Sequence, residues 1–245
     1  MGVRFSSVMM QSVNISTVSA LAVDIHSSFD FTDAYYARTM TPNLGERAFG
    51  PFTAFGYSTD YPRHEAANII TQAGKAQFGT GAANGTTVGL SLGQHGVFSL
   101  RRKSSLKGQF DLFINNDSQG GWFFFGYLNK LGSVHSYIVE ECIGFYFNLQ
   151  SGDITTQRKL QNGQMERVTL PLHLTTTPRT VDMEIITEGN SVTLLLNNTV
   201  QAVWSLGEIY ITAPDLFAVA GFSNSNTQIN IMGPRANSLS LTIPR

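Results

Sequence analysis

The sequence predicts an all-β protein, a two-sheet antiparallel β-sandwich of the jelly-roll kind, folded as a single domain with a long irregular N-terminal half. Three observations predict it. Apolar residues recur at every second position through most of the chain, helical stripes are scarce, and turn residues separate the alternating runs at short intervals. More than a dozen short strands joined in this way pack as two layers over one core. A chain of 245 residues fits one such domain over 1–245.

Taken in order, the first stretch is the least regular. Arg4 precedes SSVMMQSVNISTVSALA, but Gln11, Ser12, Asn14, Ser16 and Thr17 interrupt the apolar run that a signal peptide needs. Residues 30–80 carry Pro42, Pro51 and Pro62 among glycines and rings and read as a long connection, with His64–Asn68 as its one helical fragment. Residues 1–84 are therefore expected to hold few strands, and 85–245 to form the main sandwich. There TTVGLSL, GVFSLRR and QFDLFIN read as strands, with Ser104 to Gly108 dividing the last two. GWFFFGY follows with rings on both faces, as in a strand covered on both sides or one whose outer face meets a ligand or a neighbouring subunit. Half of the rings are expected in the core, with Trp122 the first candidate for an exposed one.

The second half is plainer. IGFYFNL, DITTQRKL and QMERVTL form a meander turned at Ser151-Gly152 and Asn162-Gly163, and Asn-Gly between alternating runs is a strong hairpin signal. TVDMEIIT sets Val181, Met183 and Ile185 against Asp182 and Glu184, and SVTLLL does the same with Val192, Leu194 and Leu196. Glu188-Gly189-Asn190 and Asn197-Asn198 turn the chain between these strands and into TVQAVW. LFAVAGF, TQINIM and NSLSLTI read as three last strands, closing the chain with its domain.

Composition narrows the function. Net charge is −1 and only 13% of residues are charged, so the chain has no field for a phosphate backbone and is not expected to bind nucleic acid. Arg101, Arg102, Lys103 and Lys107 form one basic cluster, read as a solvated strand end. Cys142 is the only cysteine, which rules out an internal disulfide, and it is expected to act as a buried small hydrophobe. No run reaches the roughly 20 apolar residues of a membrane helix. A weakly charged polar surface suits a protein that packs against copies of itself.

Two adjacent stretches carry the candidate site. In QFDLFIN, Phe110, Leu112 and Ile114 share one face, leaving Gln109, Asp111, Phe113 and Asn115 on the other. A ring between polar groups on an open sheet face can stack on a sugar and bind its hydroxyls, so Asp111, Phe113, Asn115, Asn116, Asp117 and Trp122 are the glycan candidates. Oxygen ligands at Asp111, Asn115 and Asp117 could hold Ca²⁺; no other cofactor is expected. A plain strand–turn–strand with Asp117-Ser118-Gln119-Gly120 as the turn is the alternative.

Phe110-Asp111-x-Phe113-x-Asn115 resembles the metal loop of legume lectins, of the concanavalin A-like lectin/glucanase superfamily. DMEIITEGNSVTLLLNN followed by LFAVAGFS resembles the later strands of its laminin-G-like members. This resemblance implies a concanavalin A-like sandwich over residues 85–245. The chain departs from the metal loop at Gln109, where those lectins have glutamate, and at Asp117, which follows the asparagine by two positions rather than four. Glucanases of the superfamily carry an E-x-D-x-(x)-E strand that sets carboxylates on one face, and no such triplet occurs here. Glu140 and Glu141 are adjacent and face opposite ways. The five histidines have no zinc spacing, and nucleophile-elbow, phosphate-loop and dinucleotide motifs are absent.

The resulting expectation is a non-enzymatic structural protein, a capsid or surface component of a virion acting through its contacts with copies of itself or other shell subunits. The alternatives are a lectin-like glycan-binding module and a glycoside hydrolase or polysaccharide lyase. The expected location is a virion or an extracellular surface.

Overall fold

The computed structural model describes residues 25–30, 38–40, 48–49, 52–57, 68–72, 75–80, 87–92, 99–114, 121–129, 142–211, 216–224 and 231–243. The strands among them run in chain order as β1 (Ile25–Asp30), β2 (Arg38–Met40), β3 (Ala48–Phe49), β4 (Phe52–Tyr57), β5 (Asn68–Gln72) and β6 (Lys75–Thr80). Then come β7 (Thr87–Leu92), β8 (Ser104–Leu112), β9 (Gly121–Leu128), β10 (Cys142–Asn148), β11 (Asp153–Lys159) and β12 (Met165–His173). The last are β13 (Arg179–Glu188), β14 (Ser191–Leu196), β15 (Thr199–Ser205), β16 (Phe217–Asn224) and β17 (Ile231–Ile243). A single 3₁₀ turn, Leu206–Glu208, interrupts them among the described residues.

Two antiparallel sheets result. The nine-stranded sheet is ordered β15, β14, β13, β8, β17, β6, β5, β2, with β1 also paired to β17. The eight-stranded sheet is ordered β12, β11, β10, β9, β16, β7, β4, β3. The all-β sandwich expected from period-two alternation is the observed architecture.

Alternation decides what each sheet buries. Phe110 of β8 lies between Phe123 and Phe125 of β9, centroids 4.8 and 5.0 Å away and rings near edge-on. Such tilted ring pairs are favoured over face-to-face stacks because ring edges are positive and faces negative. Gly108 makes room, since a side chain there would meet the Phe110 ring. Val181, Met183, Ile185, Val192 and Leu194 fill one side of this core, and Ile143, Phe145, Phe147 and Ile154 the other. The hairpins fall at the expected turns. Asn197 and Asn198, at φ 50° and 61°, take the left-handed conformation that a tight β14–β15 turn requires and that asparagine tolerates.

Three expectations are corrected. Among the described residues, 1–84 supply six strands, β1 to β6, shared between the two sheets, and β2 and β3, at three and two residues, are too short for alternation to show. Ser99–Arg102 is a turn, and the segment from Ser104 to Gly108, expected to divide two strands, is the first half of β8. The last two expected strands are one: β17 runs unbroken past Pro234, with register shifts between Met232 and Arg235 and between Ala236 and Ser238. Proline is tolerated there because a bulge leaves its missing donor unneeded. The His64–Asn68 fragment lies outside the described residues except Asn68, which begins β5.

Candidate functional site

The sandwich separates the residues that the sequence placed together. Asp111 and Phe113 face outward from the nine-stranded sheet, whereas Trp122 faces outward from the eight-stranded one, opposite Phe123 and Phe125. Asn115, Asn116 and Asp117 lie outside the described residues.

Asp111 is only 4% exposed and its oxygens are taken. Oδ1 accepts from Thr180 Oγ1 at 2.8 Å and Asn237 Nδ2 at 3.0 Å, and Oδ2 accepts from the Lys75 ammonium. Burial alone would raise its pKa, but these donors and the Lys75 charge hold the carboxyl below its usual range. A cation at Asp111 would have to displace Lys75. Phe113 lies beneath the Arg235 guanidinium, 5.8 Å from its ring centre. The basic cluster is partly absorbed on this sheet, with Lys103 paired to Glu188 and Lys107 to Glu184.

The outer face of the eight-stranded sheet is built differently. Register sets Trp122 opposite Asn148, and Phe124 opposite Tyr146, across β9 and β10. Trp122 and Tyr146 are thus diagonal neighbours, roughly 7–8 Å apart in such a pair. Phe124, Leu128, Cys142 and Val219 form a second apolar cluster here, with Phe55, Tyr146 and Met165 packed against it. Phe124 is wholly buried, while Trp122 and Tyr146 remain partly exposed. Cys142 is buried, as expected, and its Sγ accepts from Gln157 Nε2 at 3.0 Å.

Beyond the rings the face turns polar. Gln157 Oε1 accepts from Arg167 Nε at 2.7 Å, and the Arg167 guanidinium lies 5.0 Å above the Tyr146 ring. Burial raises the Tyr146 phenol pKa, and the nearby Arg167 charge draws it partly back. Thr155 and Thr169 stand opposite each other beside this group. By register, the single carboxylate on the described part of this face is Asp153, at the end of β11 next to His173. The arrangement offers ring surfaces flanked by amide, hydroxyl and guanidinium groups. Neither Tyr146 nor Arg167 is a candidate in the sequence; only the pairing of β10, β11 and β12 brings them together.

A cleft of about 790 Å³ opens at one end of the sandwich, lined by Leu100, Arg101, Gln161, Asn190, Leu206 and Ile209 among others, with no aromatic ring among the described lining residues.

No protein-family model matches the sequence, and no curated protein matches it. Solved structures do. A protein of unknown function, SO2946 from Shewanella oneidensis MR-1, is similar with TM-score 0.63 at 10% identity, over 94% of this chain and 90% of that one. A glycoside hydrolase family 16 endo-glucanase from Bacteroides ovatus is similar with TM-score 0.53 at 8% identity, over 87% of this chain and 98% of that one. The Emp47p carbohydrate recognition domain is similar with TM-score 0.53 at 9% identity, over 89% of this chain and 94% of that one. These likenesses correct the expectation of a non-enzymatic chain: an endo-glucanase is built on the same architecture, so the fold is capable of catalysis. The missing carboxylate triplet spoke to one catalytic arrangement and not to the capacity of the fold. Fold and neighbours agree with the fold that the resemblance in the sequence implies: the chain folds as a concanavalin A-like β-sandwich.

Proposed function

We propose that this protein recognises carbohydrate on the outer face of its eight-stranded sheet, with Trp122 and Tyr146 as stacking surfaces and Asn148, Thr155, Arg167 and Thr169 as hydrogen-bonding groups. The observation that carries this reading is the pair of partly exposed rings set diagonally on β9 and β10 beside the Arg167–Gln157 pair. Sugar rings present apolar C–H faces and polar rims, and a site of a few rings with convergent polar groups matches both. Similarity of fold to an endo-glucanase and a carbohydrate recognition domain supports it.

A glycan array followed by calorimetry tests the proposal. Trp122→Ala and Tyr146→Ala are each expected to weaken binding roughly tenfold or more while leaving the far-ultraviolet spectrum unchanged. Retention of no glycan by the native chain would end this reading. Chelation with EDTA is expected to leave binding in place, because the described polar groups beside the two rings are amide, hydroxyl and guanidinium, and Asp153 stands apart at the end of β11.

A second reading, assembly with copies of itself as a virion or other surface shell component, is favoured by one observation. On β15, an edge strand, Val200 and Val203 are 54% and 62% exposed. Apolar groups on an exposed edge mark contact surfaces or are otherwise blunted by charge. Light scattering is expected to show a concentration-dependent oligomer that Val203→Lys disrupts. A monomer at every concentration would remove this reading.

A further inference from the structure

The charge of the ring face points to the kind of glycan it takes. This inference rests on the carbohydrate reading above and narrows it. Cations outnumber carboxylates on the described part of that face: Arg167 and Lys159 project from β12 and β11, and Asp153 stands apart at the turn end with His173 at 3.3 Å. The chain as a whole carries a net charge of −1, so general attraction of polyanions does not account for this local excess.

Arg167 differs from the paired cations among the described residues. Arg158 spends its guanidinium on Glu166 at 2.6 Å and Glu208 at 2.8 Å, above the Trp204 ring. Lys75, Lys103 and Lys107 are each paired with a carboxylate. Arg167 enters no ion pair among the described residues, and it is exposed. It is nevertheless held in place. Its Nε donates to Gln157 Oε1 at 2.7 Å, and its plane lies over Tyr146 at 5.0 Å. Gln157 is in turn fully buried, and its Nε2 donates to Cys142 Sγ at 3.0 Å, which turns the amide oxygen toward Arg167. The chain Cys142–Gln157–Arg167 thus orients a guanidinium beside a ring surface without neutralising it.

A guanidinium oriented in advance presents two parallel donors, which match a carboxylate better than a hydroxyl. We propose that the glycan bears carboxylates, as in a uronic-acid-containing polysaccharide, and that Arg167 receives the carboxylate while Tyr146 and Trp122 hold the sugar rings. Gln157 acts as the positioning residue for Arg167.

The test uses calorimetry with polygalacturonate and alginate, each beside the same polymer after reduction of its carboxyl groups to alcohols. The native chain is expected to bind at least one acidic polymer roughly tenfold or more tightly than its reduced form. Arg167→Gln is expected to bind both forms alike, with its circular dichroism unchanged, and Arg167→Lys to retain part of the preference. Equal binding of acidic and reduced polymers by the native chain would overturn the proposal and leave the carbohydrate reading standing. Failure of every acidic and neutral glycan would bring down both. Dextran sulfate bound as tightly as the acidic polymer would also overturn it, by showing general attraction in place of carboxylate recognition.

Discussion

Gly144→Ala is expected to lower stability by about 3 kcal/mol, the upper end of the usual cost of overpacking. Gly144 of β10 and Gly126 of β9 stand directly opposite each other in the middle of the eight-stranded sheet. A Cβ on Gly144 would lie 2.9 Å from the Gly126 Cα and closer still to the Phe125 carbonyl oxygen. One on Gly126 would lie 2.7 Å from the Gly144 Cα and closer still to the Ile143 carbonyl. The obstructing atoms are backbone, so no rotamer change relieves the contact and the two strands must part. Parting them shifts Trp122 and Tyr146, which lie on the same pair of strands, and glycan affinity should fall with stability.

Guanidinium unfolding followed by circular dichroism checks this, with Gly163→Ala as the comparison. No atom lies within 4 Å of a Cβ at Gly163, but its φ of 81° disfavours a side chain, so a cost of about 1 kcal/mol is expected. A Gly144→Ala midpoint equal to that of the native chain would mean that β9 and β10 do not meet at this register.

The contrast between these glycines bears on what sequence can reveal. Asn162-Gly163 was legible as a turn because everything that makes it one lies within five residues. The same holds for the hairpins from β10 to β15. Gly144 within IGFYFNL reads only as a weak strand residue; its reason for being glycine is Gly126, on a neighbouring strand. The N-terminal strands were illegible for a related cause. Ile25 pairs with Ile243, and β2 and β3 have three and two residues, so neither alternation nor local turn chemistry marks them. In the candidate site, alternation puts Trp122 and Phe124 on one face, and packing across strands leaves the first partly exposed and buries the second. Nothing marks Arg167 in QMERVTL because its contacts are with Gln157 and Tyr146, which register alone brings beside it.

Asp111 shows the converse case, a residue whose face alternation gives and whose partners it does not. Its partners Lys75, Thr180 and Asn237 are 36, 69 and 126 positions away in sequence, so an outward-pointing acid looked available for ligands. In the fold it ties β8 to β6, β13 and β17 from a side chain 6% exposed. Asp111→Ala would leave the Lys75 ammonium without its counter-charge and the Asn237 amide, whose Oδ1 is already buried with no hydrogen-bond partner among the described residues, without its bond to Asp111. Breaking a buried pair on one side costs about 3–5 kcal/mol. Lys75 is 38% exposed and can recover water, which places the expected loss near the lower figure, about 3 kcal/mol. The pH dependence follows from the direction of the pKa. The folded carboxyl titrates below its unfolded value of 3.8, so the folded state binds the proton less readily than the unfolded chain. Its contribution is complete above the unfolded value and is lost as pH falls from there through the lower folded one. Asp111→Asn should therefore unfold more easily than the native chain at pH 7 and lose less further stability between pH 4 and the acid limit, measured by urea midpoints across that range. Parallel acid profiles for the two chains would show that the carboxylate is not ionised within this cluster and that Lys75 is held by something else.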